Sequence, residues 1–201
     1  MKLGPRYKIA KRLGAQIFEK TQTRAYTLSA ERTAKSKKRG RAGSDYRRQL
    51  IEKQKLRLTY GLTEKQFSSY VKKALESHKN PQAVLFGLLE TRLDSVAYRT
   101  GLASTRRAAR QMVSHGHLVV NGKRTTVPSY RISPGDMFAV REGSRGSALF
   151  AGVLEKLKEH KLPSWITFDV GEMQGKFESA PAFTAQDMPA DVGAVFEYYT
   201  R

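Results

Sequence analysis

The chain has 201 residues, with 37 lysines and arginines against 18 aspartates and glutamates, a formal net charge of +19 and no cysteine. That length allows one large domain or two to three small ones, and the missing cysteine excludes disulfides and cysteine-based zinc sites and suits a reducing compartment. Such a charge points to a polyanionic partner; the longest apolar run, Ala83 to Leu89, falls far short of the ~20 residues needed to span a bilayer, and no basic amphipathic helix with a wide apolar face stands alone to suit a membrane surface.

The charge is unevenly placed. Residues 1–44 hold 13 basic and 2 acidic groups, while residues 147–201 hold 5 and 8, which suggests a polyanion contact on one side of the protein and protein contacts elsewhere. Residues 1–44 form a basic arm ending in Lys37, Lys38 and Arg39. Tyr7, Ile9, Leu13, Ile17 and Phe18 give it little apolar surface, so by itself it is expected to be largely disordered and to fold against RNA phosphates.

A helical lobe is predicted over 45–91. Ser44 or Asp45 caps a helix from Tyr46 to about Tyr60 that carries Arg47, Arg48, Lys53, Lys55 and Arg57, and Gly61 closes it. Thr63 and Gln66 are spaced as a capping box for the next helix, in which Phe67, Tyr70, Val71, Ala74 and Leu75 recur at helical spacing. Asn80-Pro81 breaks that pattern. Gln82 to Tyr98 reads as one helix with a buried stripe including Leu85, Leu88, Leu89 and Val96.

The last turns of that helix open a module predicted over 92–155. Gly101 ends the first helix and Ser104 caps a second, which runs to Ser114 before Gly116. At about 100° per residue, Arg106, Arg107, Arg110, Gln111 and Ser114 share one arc, and Ala108, Ala109, Met112 and Val113 share the opposite one. One face is apolar and packs; the other is a guanidinium ridge matched to phosphate geometry. Asn121-Gly122 between β-prone runs is a type I′ hairpin signal. Ser133 to Asp136 is a second turn, and Met137 to Val140 a strand. The hairpin should bring Asn121, Lys123 and Arg124 near the ridge. Asp94 is expected to orient Arg92 or a neighbouring arginine. Tyr98, Tyr130 and Phe138 are either base-stacking or core residues. His115 and His117 have no cysteine or carboxylate cluster near them in sequence, so no metal and no cofactor is expected.

Residues 156–201 are predicted to hold a helix end and short strands that pack on the helical lobe. Ala148 to about His160 is the helix, Trp165–Val170 and Gly175–Glu178 are strands that can pair, and Val195–Tyr199 is a terminal strand.

The run R-L-D-S-V-A-Y-R at 92–99, the segment Thr105–Gln111, S-H-G-H at 114–117, V-N-G-K at 120–123 and P-G-D at 134–136 together resemble the S-four RNA-binding domain. With residues 52–57, 60–67, 162–165 and the ending E-Y-Y-T-R, the order of segments is similar to the ribosomal protein S-four family in its bacterial or organellar form. The fold implied is α+β. The role implied is that of a structural, non-enzymatic protein of the small ribosomal subunit in the cytoplasm. It would bind 16S-type ribosomal RNA at a multi-helix junction early in assembly. Neighbours would be ribosomal proteins three and five, near the mRNA entry path, with an influence on translational accuracy. The RNA contacts implied are Arg92, Arg99, Ser104, Arg106, Arg107, Arg110, Gln111, Ser114, His115, His117, Asn121, Lys123 and Arg124, with the basic residues of the arm and lobe. No nucleophile elbow or glycine-rich phosphate loop points to catalysis. The alternative of another class is a free-standing RNA-binding factor of translation stress or RNA processing.

Overall fold

A computed structural model describes residues 4–36, 44–150, 152–153, 157, 160–184 and 188–201. The fold is α+β, and the chain divides into two compact units, Met1–Gln82 with Thr184–Arg201, and Ala83–Phe183.

The first unit is helical. Helices α1 (Arg6–Leu13) and α2 (Arg24–Ser36) flank a 3₁₀ turn, Glu19–Gln22. Ala10, Leu13, Phe18 and Tyr26 gather a small core around Leu58 and Ile51. Tyr7 and Tyr26 meet edge to face with centroids 5.3 Å apart. The arm, expected to lack structure by itself, thus folds on apolar groups supplied by the next helix, α3 (Asp45–Thr59). Ser44 caps α3, its hydroxyl accepting from the Arg47 amide at 3.4 Å. The capping box of α4 (Glu64–Leu75) forms as the spacing predicts, with Thr63 Oγ1 accepting from the Gln66 amide and Gln66 Oε1 from the Thr63 amide.

The chain end is a helix, not the predicted strand. Asp191 caps α9 (Val192–Thr200), whose Val192, Val195 and Tyr199 recur at three- and four-residue spacing and so share one helical face. A short β-rich composition suggested a strand, but packing against α3 and α4 decides otherwise. Gln49 Nε2 donates to Glu197 Oε2 at 2.9 Å, and Tyr199 Oη donates to Glu64 Oε1 at 2.7 Å.

In the second unit the predicted helix over 82–98 is broken in two. Helix α5 (Pro81–Glu90) stops, Arg92 takes extended backbone (φ −69°, ψ 138°), and α6 (Leu93–Arg99) restarts the chain. Segment 128–132 reaches the gap. Arg92 bridges Arg131, the Leu93 amide donates to the Tyr130 carbonyl at 2.8 Å, and the Ile132 amide donates to the Thr91 carbonyl at 2.9 Å. These backbone bonds satisfy groups that a continuous helix would have satisfied internally. Helix α7 (Arg106–Ser114) follows, capped by Thr105 and not by Ser104; the Thr105 hydroxyl accepts from the Ala108 amide at 3.0 Å.

Strands β1 (Leu118–Val120), β2 (Lys123–Arg124), β3 (Met137–Val140), β4 (Ile166–Asp169) and β5 (Gln174–Phe177) form one antiparallel sheet in the order β2-β1-β3-β5-β4. Asn121 (φ 48°) and Gly122 (φ 75°) make the predicted turn. A one-turn helix, α8 (Glu142–Arg145), follows β3. The strands expected to pack on the helical lobe pair with each other as predicted, but they extend the module's own sheet through β3 and β5. Phe138 is core, stacked on Phe168 with centroids 6.0 Å apart, and this removes it from the base-stacking candidates. Of the helix predicted over 148–160, residues 151, 154–156 and 158–159 lie outside the described residues, and its expected start, Ala148–Phe150, is turn.

Gly175 is closely packed within this sheet. A Cβ there would come within 2.6 Å of Phe138 Cζ and 2.7 Å of the Thr167 carbonyl oxygen. Gly175→Ala should therefore cost about 1–3 kcal/mol by overpacking, read as a lower urea midpoint with an unchanged slope.

Candidate nucleic-acid interface

The arcs of α7 lie where the helical period places them except at two members, Ala108, which is half-buried, and Arg106, which is half-buried and bonded to Ser95 and Glu90. Ala109, Met112 and Val113 are buried, while Arg107, Gln111 and Ser114 are exposed and Arg110 is half-buried between them. Gly116 (φ 72°) reverses the chain into β1, and the β1–β2 hairpin then carries Lys123 and Arg124 exposed. Arg124 lies across Gly116, where a Cβ would strike its guanidinium, and its Nη2 donates to the His115 carbonyl at 3.1 Å. The end of α7 and the hairpin therefore form one cationic surface.

Asn121, counted among the contacts, is occupied internally. Its Nδ2 donates to Asp136 Oδ1 at 2.8 Å and its Oδ1 accepts from the Met137 amide at 2.9 Å, tying the hairpin tip to β3. His115 is exposed and His117 half-buried, the latter with Nδ1 3.0 Å from Ser144 Oγ. Burial, then the nearby His115, Arg141 and Arg124, hold the His117 imidazole below its ordinary value. No group of three or more His, Cys, Asp or Glu that could hold a metal occurs among the described residues.

Three of the arginines face acids. Arg92, only 1% exposed, donates through Nε and Nη2 to Asp94 at 2.9 and 2.6 Å. Orientation by Asp94 is as expected, but burial takes Arg92 out of the contact surface. Glu90 has no solvent exposure. It accepts from Arg99 Nε and Nη2, both at 2.8 Å, and from Arg106 Nη2 at 3.2 Å. Arg106 also stands 4.6 Å above the Tyr98 ring and donates to Ser95 Oγ at 3.3 Å. Arg99 and Arg106 are thus anchored from behind, at the base of the ridge. Ser104 and Tyr130 are exposed.

Two family models divide the chain: "Ribosomal protein S4/S9 N-terminal domain" matches residues 2–90 and "S4 domain" matches residues 91–138. The chain belongs to the ribosomal protein S4 family. It is 40% identical over 206 residues to "Small ribosomal subunit protein uS4" of Thermus thermophilus, spanning 99% of this chain and 98% of that protein. Proteins of the same name from Persephonella marina, 40% identical over 205 residues, and Shewanella loihica, 38% identical over 204, are covered to 98% of their length, with 98% and 99% of this chain.

Within this member of the S4 family, the lobe residues divide as the module residues do. Arg47 and Arg48, in the first turn of α3, are exposed. Lys53 is only 4% exposed. Its ammonium is 2.9 Å from Glu64 Oε1 and 4.2 Å from the centre of the Tyr198 ring, because α9 covers that face of α3. Lys55 pairs with Glu52 at 2.6 Å, and Arg57 with Glu64 at 3.4 Å, both half-buried. Lys37, Lys38 and Arg39 lie outside the described residues. Sequence reasoning missed Glu90, a lone acid at the end of an apolar run, and nothing local marks it; its partners are 9 and 16 residues ahead.

Two outcomes follow from this geometry. Glu90→Gln removes a buried charge that faces two guanidinium groups and should cost about 3 kcal/mol, the low end for breaking a buried pair because both arginines keep some exposure, measured by chemical denaturation. The native His117 imidazole holds its proton less tightly than the unfolded one. Its contribution to stability is therefore complete above about pH 6.5 and is lost as pH falls below that value. His117→Asn should flatten the stability profile in that window, and an unchanged profile would remove His117 as its cause.

Proposed function

We propose that this chain is a structural, non-enzymatic protein of the small ribosomal subunit, working in the cytoplasm by gripping folded ribosomal RNA. The observation that carries the proposal is the two-faced helix α7: a buried side of Ala109, Met112 and Val113, and an outward side of Arg107, Arg110, Gln111 and Ser114 beside the Lys123–Arg124 hairpin. The name of the relatives, "Small ribosomal subunit protein uS4", supports the setting. Guanidinium groups offer paired donors to phosphate oxygens, and A-form helices expose shape and backbone more than base edges. Recognition is therefore led by RNA shape, and Arg47 and Arg48 at the start of α3 add contacts from the other unit.

On this reading the RNA target is a multi-helix junction of the 16S-type molecule, bound early in assembly. The neighbours are ribosomal proteins three and five and mRNA near its entry path, and translational accuracy is affected through that position. The chain should cosediment with small subunits after a high-salt wash; release into the supernatant would favour a free-standing RNA-binding factor.

Arg107→Ala with Arg110→Ala should weaken binding to small-subunit RNA and make the dependence of log affinity on log salt shallower by about two units at most, through reduced counterion release. Fluorescence anisotropy across a salt series measures it. An unchanged slope would take the contact away from α7.

A further inference from the structure

Helix α4 presents a second cationic surface that the candidate site does not include. Its buried side is Phe67, Val71 and Ala74. At about 100° per residue, Lys65, Ser69, Lys72 and Glu76 fall on the opposite side of the cylinder with Lys73 beside them, and Lys79 follows just past the helix end. All six are exposed.

None of the four lysines lies within ion-pairing distance of a described carboxylate. The acid next to Lys65 is engaged on the packed side. Glu64 is held by Lys53 at 2.9 Å, by Arg57 at 3.4 Å and by the Tyr199 hydroxyl at 2.7 Å. Glu76 stands four residues after Lys72, the less favourable order for a helical ion pair.

Helix stability accounts for only part of this face. Lys65 sits in the first turn, where the helix dipole disfavours a cation. Lys72 and Lys73 sit in the last turn, where it favours one, but they stand side by side with no acid between them. The lysines also border no broad apolar strip that would suit a lipid surface; among α4 residues only Leu75 is an exposed large hydrophobic, at 37%. What this arrangement suits is a row of fixed negative charges. Lysine ammonium groups act as point charges on flexible stems, without the planar fork of arginine, so they follow a phosphate backbone without selecting a base.

We infer that the Lys65–Lys72–Lys73 face of α4, with Lys79 at its end, is a separate RNA-backbone contact on the helical unit. It rests on the reading of this chain as an RNA-binding protein, and adds to it a sequence-independent site at which lysine, not arginine, does the binding. The RNA would meet it with phosphates, single-stranded or along one strand of a helix.

The full-length triple variant K65Q/K72Q/K73Q tests the inference beside R107Q/R110Q, with binding to small-subunit RNA followed over a salt series and thermal melting as a control. The lysine variant should bind more weakly, with a salt slope shallower by about two units, and should melt at or slightly above the wild-type temperature because like charges are removed. If R107Q/R110Q flattens the slope and the lysine variant does not, the α4 contact is overturned and the RNA-binding role stands. If neither changes the slope, both fall together. A lower melting temperature with an unchanged slope would assign the lysines to folding and also overturn the inference.

Discussion

Glu90 takes no solvent, yet it holds guanidinium groups from two different helices: Arg99 at the end of α6 and Arg106 at the start of α7. A carboxylate removed from water is costly unless its charge and lone pairs are met. Burial of Glu90 therefore requires α5, α6 and α7 to converge on one point. Once they do, the direction of α7 is set, and with it the side from which Arg107, Arg110 and Ser114 project. The neighbouring pair, Arg92 with Asp94, works in the same way at the start of α6, where backbone bonds from segment 128–132 fill the gap between α5 and α6. The basic face is held by acids withdrawn from the surface.

This gives the large positive charge two distinct physical roles. Some cations are internal fasteners: Lys53 under α9, Lys55 with Glu52, Arg57 with Glu64, Arg92 with Asp94, and Arg99 and Arg106 on Glu90. Others face outward at the surface, as Arg47, Arg48, Arg107, Lys123 and Arg124 do. Inward cations with acid partners set geometry, and outward ones supply the long-range field that draws a polyanion and yields to salt. Acids such as Glu52, Glu64, Glu90 and Asp94 serve the first role, which leaves the outward cations to act on solvent and partner.

The C-terminal segments show how the same logic closes each unit separately. In one unit, α9 lies along α3, with Tyr198 and Tyr199 around the Lys53 ammonium and Glu64. In the other, β4 and β5 widen a three-stranded sheet to five, and Gly175 allows Phe138 and Phe168 to stack where any side chain would intrude. The sheet edge that would otherwise be left at β3 is thereby paired.

Local chemistry was legible in the sequence wherever it acts over a few residues. The Thr63–Gln66 box, the Asn121-Gly122 turn, the break at Gly101 and the two arcs of α7 all follow from steric and hydrogen-bonding rules that span four residues or fewer, or from a helical period. The S4 family resemblance was likewise carried by short runs in a fixed order. What the sequence could not determine was which basic residues turn inward, because Glu90 finds Arg106 across 16 positions and Lys53 finds Tyr198 across far more. Nor could it show that Val192–Thr200 is a helix, or that β5 joins β3 across a long stretch of chain. Those choices belong to tertiary structure, since burial and pairing of charge depend on groups brought together only when the whole unit folds.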